Sequence, residues 1–308
     1  MTAKKLLLIV NPKSGTGKMK NYLLPVTEIF SNAGYEVTVY PTKNSGDATV
    51  RAAQIQPEEF DLIVVSGGDG TLNETVTGLM ASSTECTLGY IPSGTLNEWS
   101  SSLGIARSLI KAAKDITTGK EISLDIGKFS DRYFTYTASF GAFTSASYSV
   151  PQDIKNVLGQ TAYFFEGVKS VANIKPIHLG FKCKEREFEG DFLFGAISNS
   201  LSVGGIVKYD KKVVELNDGK FEVFLIRNPD NILKLQPLID GILKREFDRE
   251  GMEFFHTDSI TITGGKDVSW TLDGEYAKGK DKIKIKNIQN GIKLIVPDKK
   301  GKLFIEKV

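Results

Sequence analysis

Three glycine-rich loops hold the residues whose types and spacing could do chemistry: "NPKSGTGK" at 11–18, "SGGDGT" at 66–71 and "PSGTLNE" at 92–98. Glycine turns between a strand and a helix bind phosphate through free backbone N–H groups and the positive end of the helix dipole. The second loop also places a carboxylate, Asp69, where a phosphate would sit. A carboxylate repels phosphate, so the pattern is coherent if a divalent cation lies between them, or if the loop binds no phosphate. The two common phosphate fingerprints do not fit. A Walker A loop would need glycine at Pro12 and Ser or Thr at Met19, and "SGGDGT" is not GxGxxG. Each loop taken alone also reads as a tight turn that needs positive φ at glycine.

The elements that must position these loops alternate. "KKLLLIV" reads as a strand, "NYLLPVTEIFSNAG" as an amphipathic helix closed by Gly34, and "YEVTVYPT" as a second strand. "GDATVRAAQI" starts a helix with Asp47 near its N-terminus, where the helix dipole favours it. "FDLIVVS" is almost entirely apolar, as expected of a parallel strand covered on both faces. "TLNETVTGLMA" reads as a helix, "TLGYIP" as the fourth strand, and "LNEWSSSL" and "RSLIKAAKDITTG" as further helices. This rhythm predicts an α/β N-terminal domain with a doubly wound parallel sheet. Ligands in such sheets sit at the carboxyl ends of the strands, where the three loops can converge.

The rhythm changes near Asp125. "ISLDIGKF", "RYFTYTASFG", "IHLGFKCK", "REFEGDFLFGAIS", "GKFEVFLIR", "DSITITG", "DVSWTLDG", "DKIKIK" and "GIKLIVP" are β-rich, interrupted by the helical "QDIKNVLGQTAYFFEGVKSVAN" and "NILKLQPLIDGILK". The second part is therefore expected to be a mainly antiparallel β-sandwich.

At 308 residues the chain suits about two domains, and its 41% hydrophobic and 25% charged residues fit a globular protein. The 39 basic and 37 acidic residues leave a net charge of +2, which gives no overall field to recruit nucleic acid. Attraction to an anionic surface must then come from a local patch, such as Lys278, Lys280, Lys282, Lys284, Lys286, Lys299, Lys300 and Lys302. A solvated strand face is the simpler account of such a run. Two cysteines and two histidines lack zinc-site spacing and make no disulfide framework. The apolar run Leu6–Val10 is too short for a signal peptide, and no stretch approaches a membrane span, so a cytoplasmic location is expected.

"NPKSG", "GGDGTLNE" and "IPSGTLNE", in this order, resemble the catalytic domain of the diacylglycerol kinase family of lipid kinases. The likeness continues through "LDIGKFSDRYFTYTASFG", "FGAISNS", "ELNDGKFEV" and "LDGE", and so covers nearly the whole chain. GGDGT alone is shared with NAD kinases and 6-phosphofructokinases; the C-terminal set points to lipid. The resemblance implies a nucleotide-binding domain at 1–128, a β-sandwich domain at 129–294 that contributes the acceptor site and base, and a final segment of about 295–308 that returns to the first domain. It implies ATP bound in the cleft between domains, Mg²⁺, and diacylglycerol as acceptor, giving phosphatidic acid.

Residue by residue, the resemblance places nucleotide contacts at Asn11, Thr42, Ser66, Gly67, Gly68, Asp69, Gly70, Thr71, Leu72 and Thr95. Asp69 would hold the Mg²⁺, directly or through water, with Asp125 extending the acidic network. Glu275 in "LDGE" matches the family's general base, although "DGE" between two strands is on chemistry alone a hairpin turn. A structural Mg²⁺ would sit on the Asp218 side chain and the Glu215 and Lys220 carbonyls, in a loop that also reads as a plain turn. The chain departs from the family where Asn97, Glu98 and Trp99 replace Asn-Asp-Phe, where "SSSLG" lacks the usual Arg, and where "YDKKV" replaces a Pro-x-Ala stretch. The expected partners are ATP and a membrane lipid met by transient contact with the inner membrane face, with no nucleic acid and with room for a homodimer. Three rivals remain open: a kinase for another lipid alcohol, an NAD kinase, and a non-catalytic regulator that binds lipid or nucleotide.

Overall fold

The computed structural model describes residues 3–82, 84–141, 176–205, 207–229 and 234–298. The helix expected at 152–173, with Phe164 and Phe165, lies outside these residues, as does the chain from 299 on. Two compact units are present. One takes the chain up to Ile126 together with Arg132–Thr135 and the residues from Ile288; the other takes Gly127–Asp131 and Tyr136–Asn287.

In the first unit, β1 (Lys4–Val10), β2 (Tyr35–Pro41), β3 (Leu62–Gly67) and β4 (Thr87–Pro92) pair in parallel in the order β2-β1-β3-β4. β3 is buried along its whole length, whereas the edge strand β2 is half exposed. Helices α1 (Met19–Asn32), α2 (Asp47–Ala53), α3 (Asp69–Ser82), α4 (Glu98–Leu103) and α5 (Leu109–Thr118) connect and cover the strands. β1 leads to β2 on one side and adjoins β3 on the other, so the strand order reverses between β1 and β3. Right-handed crossovers then put α1 on one face and α2 and α3 on the other. The helices pack accordingly, α1 with α5 and α2 with α3. Gly78 permits the second contact, because a Cβ there would lie 2.4 Å from the Thr49 carbonyl oxygen. The doubly wound α/β reading holds.

β5 (Lys120–Phe129) leads out of this sheet, followed by β6 (Arg132–Phe134). The second unit is built from β7 (Thr137–Gly141), β8 (Ile177–Lys182), β9 (Glu187–Ser198), a short β10–β11 ribbon (Ser202–Val203 and Val207–Lys208), β12 (Phe221–Arg227), α6 (Leu235–Lys244), β13 (Met252–Thr257), β14 (Ser259–Thr263), β15 (Ser269–Leu272) and β16 (Glu275–Lys278). Its strands pair antiparallel in the order β16-β15-β7-β9-β8-β14, with β12 on the other side of β9 and β13 beyond it. Trp270 anchors an aromatic core, its ring 4.8 Å from Phe140 and 5.1 Å from Phe129.

β17 (Lys282–Val296) corrects one expectation. "DKIKIK" and "GIKLIVP" read as two strands separated by "NIQN", yet they form one strand that runs through the Asn290-Gly291 dipeptide. Asn290 takes φ 53° inside it, and its N–H donates to the buried Asp125 carboxylate over 2.8 Å. That bond stabilises a bend where the dipeptide would otherwise make a turn. The N-terminal half of β17 pairs with β14 in the second unit, and Lys293–Leu294 pair in parallel with β4 in the first.

Candidate functional site

The loops after β1, β3 and β4 meet at the carboxyl ends of their strands, beside the reversal point. Their backbones touch through glycine. A Cβ on Gly94 would lie 2.5 Å from the Gly68 Cα, and one on Gly15 would lie 2.3 Å from the Ser93 carbonyl oxygen. Main-chain bonds knit the same loops together: Asn11 N–H donates to the Ser66 carbonyl at 2.8 Å and Ser93 N–H to the Gly67 carbonyl at 2.9 Å. The Asn11 amide donates to Thr71 Oγ1 at 3.1 Å. Gly67 leaves room for Thr71, whose Cβ would stand 2.5 Å from an added methyl.

Asn11, Ser66, Gly67, Gly68, Asp69, Gly70 and Thr71 are thus brought together. Leu72 enters through its backbone alone, since its side chain is fully buried and its N–H donates to the Gly68 carbonyl. Thr42 lies just past β2, buried, with its N–H and hydroxyl both on the Val10 carbonyl. Thr95 and Leu96 stand exposed between β4 and α4.

Asp69 opens the 14-residue helix α3, where the helix dipole stabilises a carboxylate. Its Oδ2 accepts the Glu98 N–H at 3.1 Å. Below it runs the fully buried Tyr90, whose hydroxyl lies 3.3 Å from both the Gly67 carbonyl and Asn97 Oδ1. Burial, and then the charge of Asp69, hold that hydroxyl well above the usual phenol range.

In the second unit, β15 and β16 are joined by Asp273 and Gly274, with φ of 51° and 87°. Two positive φ values make a tight hairpin turn of the primed kind. The Asp273 carboxylate fixes it, Oδ1 accepting the Tyr136 and Thr137 N–H groups at 2.9 and 3.0 Å. Glu275 follows directly, paired with Leu272 and exposed. In the 215–220 loop, Asp218 Oδ1 accepts the Lys220 N–H at 2.9 Å, and Glu215 and Lys220 are exposed.

The model of the family described as "Diacylglycerol kinase catalytic domain" matches residues 5–129. The diacylglycerol kinase of Bacillus subtilis (strain 168) is 31% identical over 97% of this chain and 98% of its own length. That of Staphylococcus aureus (strain MRSA252) is 30% identical over 96% of this chain and 93% of its own. The chain belongs to the diacylglycerol kinase family. A crystal structure of a Bacillus anthracis str. Sterne protein assigned as a diacylglycerol kinase superposes with a TM-score of 0.80 at 27% identity, covering 96% of each chain.

A kinase of this family needs a place for nucleotide phosphates and a divalent cation, and the loops fit both. Gly68 and Gly94 let the two loop backbones close directly on one another beside Asp69, and the Ser66 and Ser93 hydroxyls of the same loops are buried with no protein partner. Among the described residues no three His, Cys, Asp or Glu side chains assemble into a ligand cluster. A cation at Asp69 would therefore complete its shell from phosphate oxygens and water, the habit of Mg²⁺.

Sequence reading gave no role to three residues that shape these loops. Glu74 Oε1 accepts from the Ser45 hydroxyl at 3.0 Å and the Gly46 N–H at 2.8 Å, so α3 holds the turn that follows Thr42. Tyr90 was legible as a polar handle on an otherwise apolar strand, which must find a partner when buried. Asn97 read as part of a helix, but α4 begins at Glu98 and Asn97 is left-handed at φ 49°.

Proposed function

We propose that the chain transfers the γ-phosphoryl group of ATP to the free hydroxyl of diacylglycerol, giving phosphatidic acid and ADP. The observation that carries this reading is the contact between the Gly68 and Gly94 backbones beside Asp69, in a chain whose relatives are diacylglycerol kinases over their whole length. Asn11, the Ser66–Thr71 loop, Thr95 and Thr42 bind and orient the nucleotide, and the start of α3 offers N–H donors to its phosphates. Asp69 would hold Mg²⁺, which when bound would supply positive charge against that developing on the phosphates. Glu275 takes the proton of the attacking hydroxyl as its oxygen bonds to the γ-phosphorus and the bond to the β,γ-bridging oxygen breaks. The test is incubation of purified protein with labelled ATP, Mg²⁺ and a panel of lipid alcohols in mixed micelles, with NAD alongside. Label in phosphatidic acid supports the reading; label only in another lipid or in NADP overturns the acceptor.

A second Mg²⁺ is proposed at the 215–220 loop, on the Asp218 side chain and the Glu215 and Lys220 carbonyls. The turn already aims Asp218 back over its own backbone. Chelation with EDTA is expected to lower the melting temperature of the wild type by a few degrees and to leave Asp218→Ala unmoved. An equal response in both proteins removes this site.

The acceptor lies in a membrane, and no helix among the described residues is long and apolar enough to cross one. We propose peripheral contact with the inner membrane face through Lys282, Lys284 and Lys286. These occupy alternate exposed positions of β17, opposite Thr263, Thr261 and Ser259 of β14, whose hydroxyls cannot neutralise them. A lysine near an anionic bilayer contributes about 1 kcal/mol, so changing all three to Gln is expected to weaken vesicle binding by roughly a hundredfold. Binding of the wild type is expected to rise with the anionic lipid fraction and fall with salt. Salt-independent binding would remove the lysine face from the reading.

A further inference from the structure

We propose that Tyr90 and Asn97 act together as a buried lock that sets the position of the Asp69 carboxylate. This rests on the role given to Asp69 above. Asn97 is 4% exposed and left-handed, with φ 49° and ψ 52°. Its side-chain amide engages both main-chain groups of Gly94: Nδ2 donates to the carbonyl at 2.7 Å, and Oδ1 accepts the N–H at 3.0 Å. The Tyr90 hydroxyl lies between this Oδ1 and the Gly67 carbonyl. Its single proton is shared between these two acceptors, so one tyrosine bridges the end of β3 and the loop after β4.

The left-handed turn at Asn97 has a direct consequence. It starts α4 so that the first helical N–H, that of Glu98, points at Asp69 Oδ2. The Asn97 carbonyl is held in turn by the Ser100 hydroxyl at 2.7 Å, which fixes the peptide plane bearing that N–H. A charge-assisted bond of this kind is strong and directional. The other carboxylate oxygen is then fixed in direction by the rigidity of the carboxyl group. Neither Tyr90 nor Asn97 needs to touch nucleotide, metal or lipid; both are positioning residues. Asparagine suits the place because it tolerates the left-handed region and carries a donor and an acceptor on one short side chain.

Two substitutions separate this role from bulk packing. Tyr90→Phe keeps the buried ring and deletes only the hydroxyl. Asn97→Gly keeps free access to the left-handed backbone and deletes only the amide. The first readout needs no ligand: the exchange protection of the Glu98 amide, followed by NMR. Protection is expected to fall about tenfold in each variant, the scale of one lost buried hydrogen bond. The second is calorimetric titration with ATP, in EDTA and in excess Mg²⁺. The Mg²⁺-dependent gain in ATP affinity is expected to shrink about tenfold in both variants, while affinity in EDTA stays near wild type. Unchanged Glu98 protection, or a full Mg²⁺ gain beside a lowered melting temperature, overturns the lock and leaves two residues that merely hold the fold. A wild type that binds no ATP overturns the kinase reading instead, and the exchange measurement still decides the lock.

Discussion

Asp69→Asn is expected to cost roughly a thousandfold in phosphoryl transfer, as a metal's stabilisation of transition-state charge amounts to several kcal/mol. The substitution is isosteric. An asparagine Oδ1 can still accept the Glu98 N–H that Asp69 Oδ2 accepts at 3.1 Å, so the two loops stay joined. What it removes is the negative charge at the first position of α3, and with it the proposed ligand for a cation. The loss of favourable charge at the helix N-terminus costs about 0.3–1 kcal/mol, a small change in melting temperature. Loss of turnover with near-normal melting therefore separates a metal ligand from a helix-start residue. The check is a Mg²⁺ titration of initial rates, with melts alongside. A variant with near-wild-type rates would sink the metal role and favour a turn aspartate, which also suits that position.

The parts of the fold and site that could be read from sequence were those whose signal is local. β3 announced itself by an unbroken apolar run, since both its faces are covered. The hairpin at Asp273-Gly274 announced itself by the Asp-Gly pair that a primed turn demands. β13 went unread because Phe254 and Phe255 are adjacent and obscure the alternation, although burial resumes it on either side of the strand. The continuity of β17 could not be read because the residue that holds its bend, Asp125, lies 165 positions away. Asn97 was missed for a different reason, since its partners are close in sequence. Its left-handed conformation is set by Gly94 and Tyr90, and propensity over a short window sees only a helix beginning. In the site, the glycines were legible because their spacing is intrinsic to the turn. The bracing contacts were less legible, because Glu74 reaches Ser45 and Gly46 across 28–29 positions and Asn97 takes a left-handed backbone that propensity does not report.

Glu275→Gln is expected to lower turnover by about 10²–10⁴-fold, the contribution of a positioned general base, with ATP affinity little changed. The hairpin does not depend on this side chain. Asp273 and Gly274 supply the turn, and the Asp273 carboxylate binds the Tyr136 and Thr137 N–H groups. Glu275 itself is exposed, and changing an exposed side chain outside such a network alters stability by about 0.5 kcal/mol or less. A companion change gives the contrast. Asp273→Ala strands two N–H groups, Asp273 being buried, at about 1–3 kcal/mol for an unmet buried group, and should lower the melting temperature clearly. If Glu275 is the base, its variant loses rate at an unchanged melting temperature, while the Asp273 variant loses both together. If Glu275 only continues the strand, its variant keeps its rate and its melt. Initial rates at saturating ATP and lipid, the ATP titration and thermal melts of the three proteins distinguish these outcomes. Retained turnover in Glu275→Gln would require the proton to leave by another group.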